Sequence, residues 1–439
     1  MLTGNAEKAP PSEFSGSAKT SAHFDAPGLP GRAYAVAFQL FAFLAAFMIV
    51  VSRRPDAVLN AQFFAEDGVV WFRDAYHLGI HSLLVPQASY FHTLTRLIAL
   101  SSLLVPFSLA PLVMNLGAIA VQILPVNIFL SSRFSHIPTR VRLLASFVYL
   151  ALPNTYEIDA NITTLQWHLA LLACLVLLAR PATGWGWRIF DGIVLVLISL
   201  DGPTGFVLLP VALALWWKRR NAWTLRNAAL LVPGAVTQVI TTLMLWHTRL
   251  MAPLGATPAR LVDILGRQIF IPSLLGLNTS SNFFRGDTPT AIEVTATALG
   301  LALIFYALRR APLEMKLFIL FAFGGFVLCL ARPLAGPPDR TQWDWLCIPG
   351  CGNRYYFLPM LAFLAALLWV AVDKSHRKIC YLGVALLLLL PIGVYRDWSY
   401  PGYKDLDFKK YATEFESAPS GTKMTIPINP GWTLDMTKR

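Results

Sequence analysis

The chain has 439 residues, of which 56% are hydrophobic and only 14% charged, and its net charge is +12. Soluble domains carry about a quarter charged residues, so this composition excludes an ordinary soluble enzyme. The apolar stretches are long and continuous rather than short and alternating, which excludes a membrane β-barrel. The positive charge gathers in short connections between apolar runs. That is the mark of membrane orientation, and no nucleic acid-binding motif accompanies it.

In chain order, residues 1–32 are rich in Pro, Ser, Gly and Ala and lack a cleavable-signal pattern. They read as a disordered cytoplasmic tail. Apolar runs follow at approximately 33–52, 93–109, 111–131, 143–152, 164–179, 189–200, 203–217, 228–247, 290–308, 317–331, 356–372 and 379–395. The basic clusters between them are Arg133/Arg140/Arg142, Arg180/Arg188, Lys218/Arg219/Arg220/Arg226, Arg309/Arg310/Lys316 and Lys374/Arg377/Lys378. All five clusters share a side with the N-terminus if 93–109 does not cross the bilayer. The reading is therefore an all-α polytopic membrane protein with about 11 transmembrane helices and interfacial helices in its outer loops. Its N-terminus is cytoplasmic and its C-terminus extracytoplasmic. Arg53 and Arg54, directly after the first run, break the charge rule.

Two outer connections are long, 53–110 and 248–289. In the second, the spacing over 258–270 predicts a helix lying flat on the membrane. Residues 396–439 read as a short polar and aromatic C-terminal segment with a β-prone stretch, too small for a domain of its own.

The outer side collects the chemistry-bearing residues. Glu66-Asp67-Gly68 lies just after the first run, ahead of a helical-looking stretch. One acid of the pair can serve as a general base; the plainer alternative is a helix N-cap. Glu157 and Asp159, two apart in a second outer connection, can bind sugar hydroxyls or a divalent cation such as Mg or Mn. Arg354, at the entrance to a late run, suits a lipid phosphate. Arg285, Arg340 and Arg96 are further candidates, and His92 lies beside Arg96 at the interface. The alternative for each arginine is snorkelling above an aromatic belt. Cys347 and Cys351 bracket a tight loop, either as a disulfide or as two free thiols. No phosphate-binding loop, dinucleotide fingerprint or hydrolase elbow is present, so the substrate itself must supply the energy.

This layout resembles the GT-C superfamily of integral-membrane glycosyltransferases. Glu66/Asp67 and the non-spanning 93–109 match its first extracytoplasmic loop with a catalytic acid, Glu157-Ile-Asp159 its second acidic motif, and Arg354 its phosphate ligand. The motif here is Glu-Asp-Gly rather than a spaced acid pair. The resemblance implies a bacterial inner-membrane enzyme with a polyprenyl-phosphate sugar as donor and a cell-envelope glycan or glycolipid as acceptor. Transfer would occur on the periplasmic side with inversion. The alternative in another class is a transporter or flippase of lipid-linked sugars. A non-catalytic assembly scaffold is the third.

Overall fold

The structure, a computed structural model, describes residues 29–248, 252–283 and 290–439. The expected tail at 1–32 lies almost wholly outside them, as do Arg249, Arg285 and Asp287. The first run forms α1 (Leu29–Arg53). The run at 93–109 yields only the nine-residue α2 (Thr93–Ser101), followed by short 3₁₀ turns. At 1.5 Å per residue it falls well short of a bilayer core about 30 Å thick. Then come α3 (Ala110–Leu130), α4 (Thr139–Leu150), α5 (Leu165–Leu178), α6 (Trp185–Ser199), α7 (Thr204–Arg219) and α8 (Ala222–Met244). The second half contributes α9 (Ala291–Arg310), α10 (Leu313–Ala331), α11 (Asn353–Val372) and α12 (Arg377–Leu387), the last continued by Leu390–Arg396.

Among the described residues, seven helices are long and apolar enough to cross a membrane: α1, α3, α8, α9, α10, α11 and α12 with its continuation. The remaining four expected spans, α4 to α7, have 12, 14, 15 and 16 residues. The count of eleven is therefore not reached on length. Non-helical backbone at membrane depth is tolerated where protein buries it. The connection 151–164 between α4 and α5 is buried by protein in this way, with all but three of its residues buried.

The five basic clusters lie at one end of the bundle, joined by a chain of contacts. The Arg180 amide donates to the Arg133 carbonyl (3.3 Å), and the Arg226 guanidinium donates to the Arg188 carbonyl (3.0 Å). Arg219 pairs with Glu314 (2.7 Å), and Arg310 donates to His376 (3.1 Å). At the opposite end, Arg53 donates to the carbonyls of Leu150 (2.6 Å), Leu152 (2.8 Å) and Trp398 (3.3 Å). Arg54 donates to the Tyr156 carbonyl (2.6 Å). Of the two arginines that break the charge rule, Arg53 thus satisfies open carbonyls at the end of α4, and Arg54 satisfies one in the connection that follows.

The stretch 258–270 lies at the surface only at its start, where Pro258 and Ala259 are exposed. Its helix Pro258–Asp263 runs into a π-helical turn, Ile264–Phe270, buried at every residue. A side chain at Gly300 would meet the Phe270 ring at 2.5 Å, and Phe270 packs edge-on to Phe363 of α11. Its apolar residues are covered by α9 and α11, so the flat-helix expectation is corrected: the moment of the segment is met by protein, not lipid.

Residues after 396 fold back on the first outer loop. Helix α13 (Phe408–Ser417) and the antiparallel hairpin β1 (Lys423–Ile428) and β2 (Trp432–Thr437), with Ile428 opposite Trp432, share one core with that loop. Phe63, Phe72, Phe107, Phe408 and Phe415 form its aromatic centre. The Ala65 amide donates to the Asn429 carbonyl (2.6 Å), tying the loop to the hairpin turn.

Candidate functional site

Asp67 opens a π-helical turn, Asp67–Phe72, a distortion frequent at functional sites. Its carboxylate does not cap the helix, and neither does that of the N-cap residue Glu66. It accepts instead from Thr163 of the second acidic connection, through the hydroxyl (2.6 Å) and the amide (3.1 Å). Gly68 makes this turn feasible, because a Cβ there would meet Ile428 of the hairpin at 3.0 Å and Phe63 at 3.1 Å. Asp67 is buried, while Glu66 beside it is half-buried. Burial pushes the Asp67 carboxyl up to about 7, the Thr163 hydrogen bond restrains the rise, and the Glu66 charge adds to it.

Thr163 also accepts from the Trp71 indole (2.9 Å). The Trp71 ring in turn carries the Arg96 guanidinium 5.1 Å from its centroid and the His92 ring 5.1 Å away. Arg96 pairs with Asp74 (3.1 Å), although its Nε and Nη2 are buried without partners. His92 faces Asp201 from the connection after α6, Nδ1 to Oδ1, at 3.8 Å. Burial, and then the charge of Arg96, lower His92 to about 4; burial alone raises Asp201 well above the carboxylate range. Asp67, Trp71, His92, Arg96, Thr163 and Asp201 therefore form one connected cluster drawn from three connections.

The second acidic motif is divided. Glu157 is half-buried and pairs with the Arg354 guanidinium, and its other oxygen accepts from the Arg354 amide at 3.3 Å. Asp159 is buried and accepts from Gln122 of α3 (2.7 Å), Thr155 (3.2 Å), Arg53 (3.5 Å) and Tyr400. His168 stands 3.4 Å from it. Burial presses the Asp159 carboxyl up, but the His168 hydrogen bond, the Arg53 charge and the Tyr400 hydroxyl outweigh it and hold the group below its ordinary value. The two carboxylates thus have separate partners and do not converge as a chelating pair. Among the described residues, no three His, Cys, Asp or Glu side chains group as metal ligands. Asn161, the asparagine of a glycosylation-like tripeptide, is buried and donates to the Glu157 carbonyl (2.8 Å).

Of the other expected residues, Arg340 is exposed and stacks on Trp345 at 5.4 Å, and Arg285 lies outside the described residues. Cys347 and Cys351 are free thiols, and Cys351 donates to the Ala335 carbonyl (3.2 Å). Two cavities flank the second motif. A polar one of about 390 Å³ is lined by Asn154, Thr155, Tyr156, Asn278, Asp397 and Tyr400. An apolar one of about 520 Å³ lies between α3 to α5 and α10 to α11, from His136 and Glu314 at the basic end to Tyr149. Thr163, Trp71 and Asp201 were missed in the sequence. A Trp four residues after an acid on a helical stretch was the one available signal.

No family model matches the chain, and neither does any curated protein. Among solved structures, it is similar to the Archaeoglobus fulgidus oligosaccharyltransferase in its apo form. The identity is 10% and the TM-score 0.43, over 88% of this chain and 59% of that one. A complex of the same oligosaccharyltransferase with Zn and sulfate gives 13% identity and a TM-score of 0.38, over 87% and 56% of the two chains. The chain thus spans less than two thirds of the length of these structures.

Proposed function

We propose that the chain is a membrane glycosyltransferase of the GT-C type, with Asp67 as its general base. The observation that carries this reading is the buried Asp67 carboxyl, raised to about 7 and held by Thr163 of a distant connection. A base of that strength is half-ionised near neutral pH, where general-base catalysis is most effective. In this reading the basic end is cytoplasmic, and the acids act on the periplasmic side of a bacterial inner membrane. A polyprenyl-phosphate sugar enters from the bilayer, with Arg354 and Arg340 receiving its phosphate. Arg354 is already matched by Glu157, so the incoming phosphate has to share or displace that carboxylate. Asp67 takes the proton of the acceptor hydroxyl on a cell-envelope glycan or glycolipid. The oxygen then attacks the anomeric carbon opposite the departing phosphate, giving inversion. Bringing both substrates together supplies much of the acceleration, and neutralising the leaving phosphate supplies more. Glu66, half-buried beside Asp67, holds a negative charge that keeps the base strong.

The test is purified protein with a radiolabelled polyprenyl-phosphate sugar and lipid extract as acceptor. Transfer that survives Asp67→Asn undiminished removes Asp67 from the chemistry. One observation favours a flippase of lipid-linked sugars as a second reading. Tyr149, in the wall of the apolar cavity, contacts His168 (2.9 Å), and His168 faces Asp159, which is bonded to Tyr400 in the wall of the polar cavity. A buried polar file between two cavities at opposite ends suits translocation. Movement of a fluorescent lipid-linked sugar across proteoliposomes, with no sugar transferred, would decide for it.

A further inference from the structure

We propose that His92 and Asp201, with the amide oxygen of Gln166, form a binding site for one divalent transition-metal ion. The inference rests on side chains and not on the glycosyl-transfer reading.

The two residues are held face to face by an antiparallel bridge. The Gly202 amide donates to the Phe91 carbonyl (2.8 Å), and the Thr93 amide donates to the Leu200 carbonyl (3.2 Å). Gln238 of α8, itself buried, clamps Phe91 from behind, accepting from its amide (2.9 Å) and donating to its carbonyl (3.0 Å). The Gln87 backbone supplies the hydrogen bond of the His92 ring, and Nδ1 is buried without one. A histidine whose other ring nitrogen is satisfied by a backbone carbonyl is the usual form of a metal ligand, because that bond fixes the tautomer and aims the lone pair.

Opposite Nδ1 stands Asp201, fully buried, and neither carboxylate oxygen has a hydrogen-bond donor. The unpartnered Nδ1 and the Asp201 carboxyl thus confront each other out of water, 3.8 Å apart, too far for a hydrogen bond. A cation between them would hold the carboxylate ionised, where burial alone favours its neutral form. A proton shared by Asp201 and Nδ1 does not fit, because such a hydrogen bond closes to about 2.7–3.0 Å. A metal ion does fit, at about 2.1 Å from each ligand. We assign Gln166 as the third donor, because its Oε1 is also buried without a partner among the described residues and lies beside Gly202, the residue after Asp201. It lies so close over Gly202 that a Cβ there would come within 1.6 Å of it. Gly202 also has φ +74°, so that position is open to glycine and the oxygen beside it is accommodated. Arg96 is the neighbouring cation, and Asp74 balances it. Imidazole, carboxylate and amide oxygen together favour Mn²⁺ or Zn²⁺ over Ca²⁺, with the open positions left to water or a substrate oxygen.

Mn²⁺ is the probe, added to the full-length protein purified in detergent and stripped with chelator. The expected result is one tightly bound Mn²⁺ per chain, with a ¹⁴N coupling from imidazole in pulsed electron paramagnetic resonance. His92→Gln removes the coupling, and His92→Gln and Asp201→Asn each weaken Mn²⁺ binding at least tenfold. Asp373→Asn, at the opposite end of the bundle, binds as wild type. Wild-type protein that binds no Mn²⁺, or shows no nitrogen coupling, overturns the site, as does either variant binding at wild-type strength. Should a variant fail to fold, an anomalous manganese peak between His92 and Asp201 in wild-type crystals decides instead, and its absence overturns the assignment.

Discussion

Asp67 and Asp159 are equally hidden from water, yet their protonation is driven in opposite directions. Asp67 meets the neutral hydroxyl and amide of Thr163 and the like charge of Glu66, but no cation, and burial wins. Asp159 meets Arg53, His168 and Tyr400, and the partners win. Burial alone therefore does not define a catalytic acid; the charge of the company does. One carboxylate is left poised near neutrality, while the other is committed to joining α1, α3, α5 and the segment after 396.

Breaking the committed acid should have the largest effect. Asp159→Ala strands Arg53 as a buried unpaired cation, which costs about 3–5 kcal/mol. The expected outcome is loss of monodisperse protein on size exclusion. Removing the poised acid should instead spare the fold. Asp67→Asn is expected to reduce glycosyl transfer by about 10²–10⁴-fold, with the elution profile unchanged.

The same contrast sets opposite pH dependences. The folded pKa of Asp67 lies above its ordinary value of 3.8, at about 7. Its contribution to stability is therefore fullest below the ordinary value and is lost as pH rises toward 7. Wild-type thermal midpoints should fall relative to Asp67→Asn between acidic and neutral pH, while transfer activity rises through a midpoint near 7. Asp159, held below its ordinary value, contributes stability above that value and loses it as pH drops through the folded pKa.

Thr163→Val sharpens the comparison by taking away the hydroxyl hydrogen bond that favours the ionised Asp67, while the backbone amide bond stays. Bonds to a charged group are worth about 1.5–3 kcal/mol, so the activity midpoint should shift upward by about one to two pH units. The smallest effect expected is from Gly68→Ala. It presses a methyl against Ile428 and Phe63, and a cost of roughly 1 kcal/mol should appear as a modest drop in thermal midpoint with the pH profile in place.

The helical membrane class was legible because unbroken apolar runs admit few other structures in lipid. So was the shared end of the five basic clusters, since Arg133, Arg188, Arg219 and Arg310 stand in short connections whose side is fixed by parity. The number of crossings was less legible. Runs such as 143–152 are apolar whether they cross fully or stop at a buried connection like 151–164. The first acid pair stands out in the sequence because acids are scarce beside a membrane. Asp201 carries no comparable signal in the sequence, for its bridge to His92 joins residues 109 apart. Arg354 was expected to stand free for phosphate, but the pattern Gly-Asn-Arg-Tyr-Tyr contains nothing that announces Glu157 as its partner. The 258–270 segment shows the same limit: amphipathic spacing tells that a face must be covered, not by what.

The hairpin resting on Gly68 has a bearing on biogenesis. Gln62 and Asn429 touch across 367 residues, and chains emerge at about 5–20 residues per second. The early loop bearing Asp67 is thus made tens of seconds before its packing partner exists. Until then its phenylalanines are bare and its acid is hydrated at an ordinary carboxylate pKa. On the proposed reading, Asp67 becomes an effective base only when the late strands arrive, so a half-made chain would be inactive.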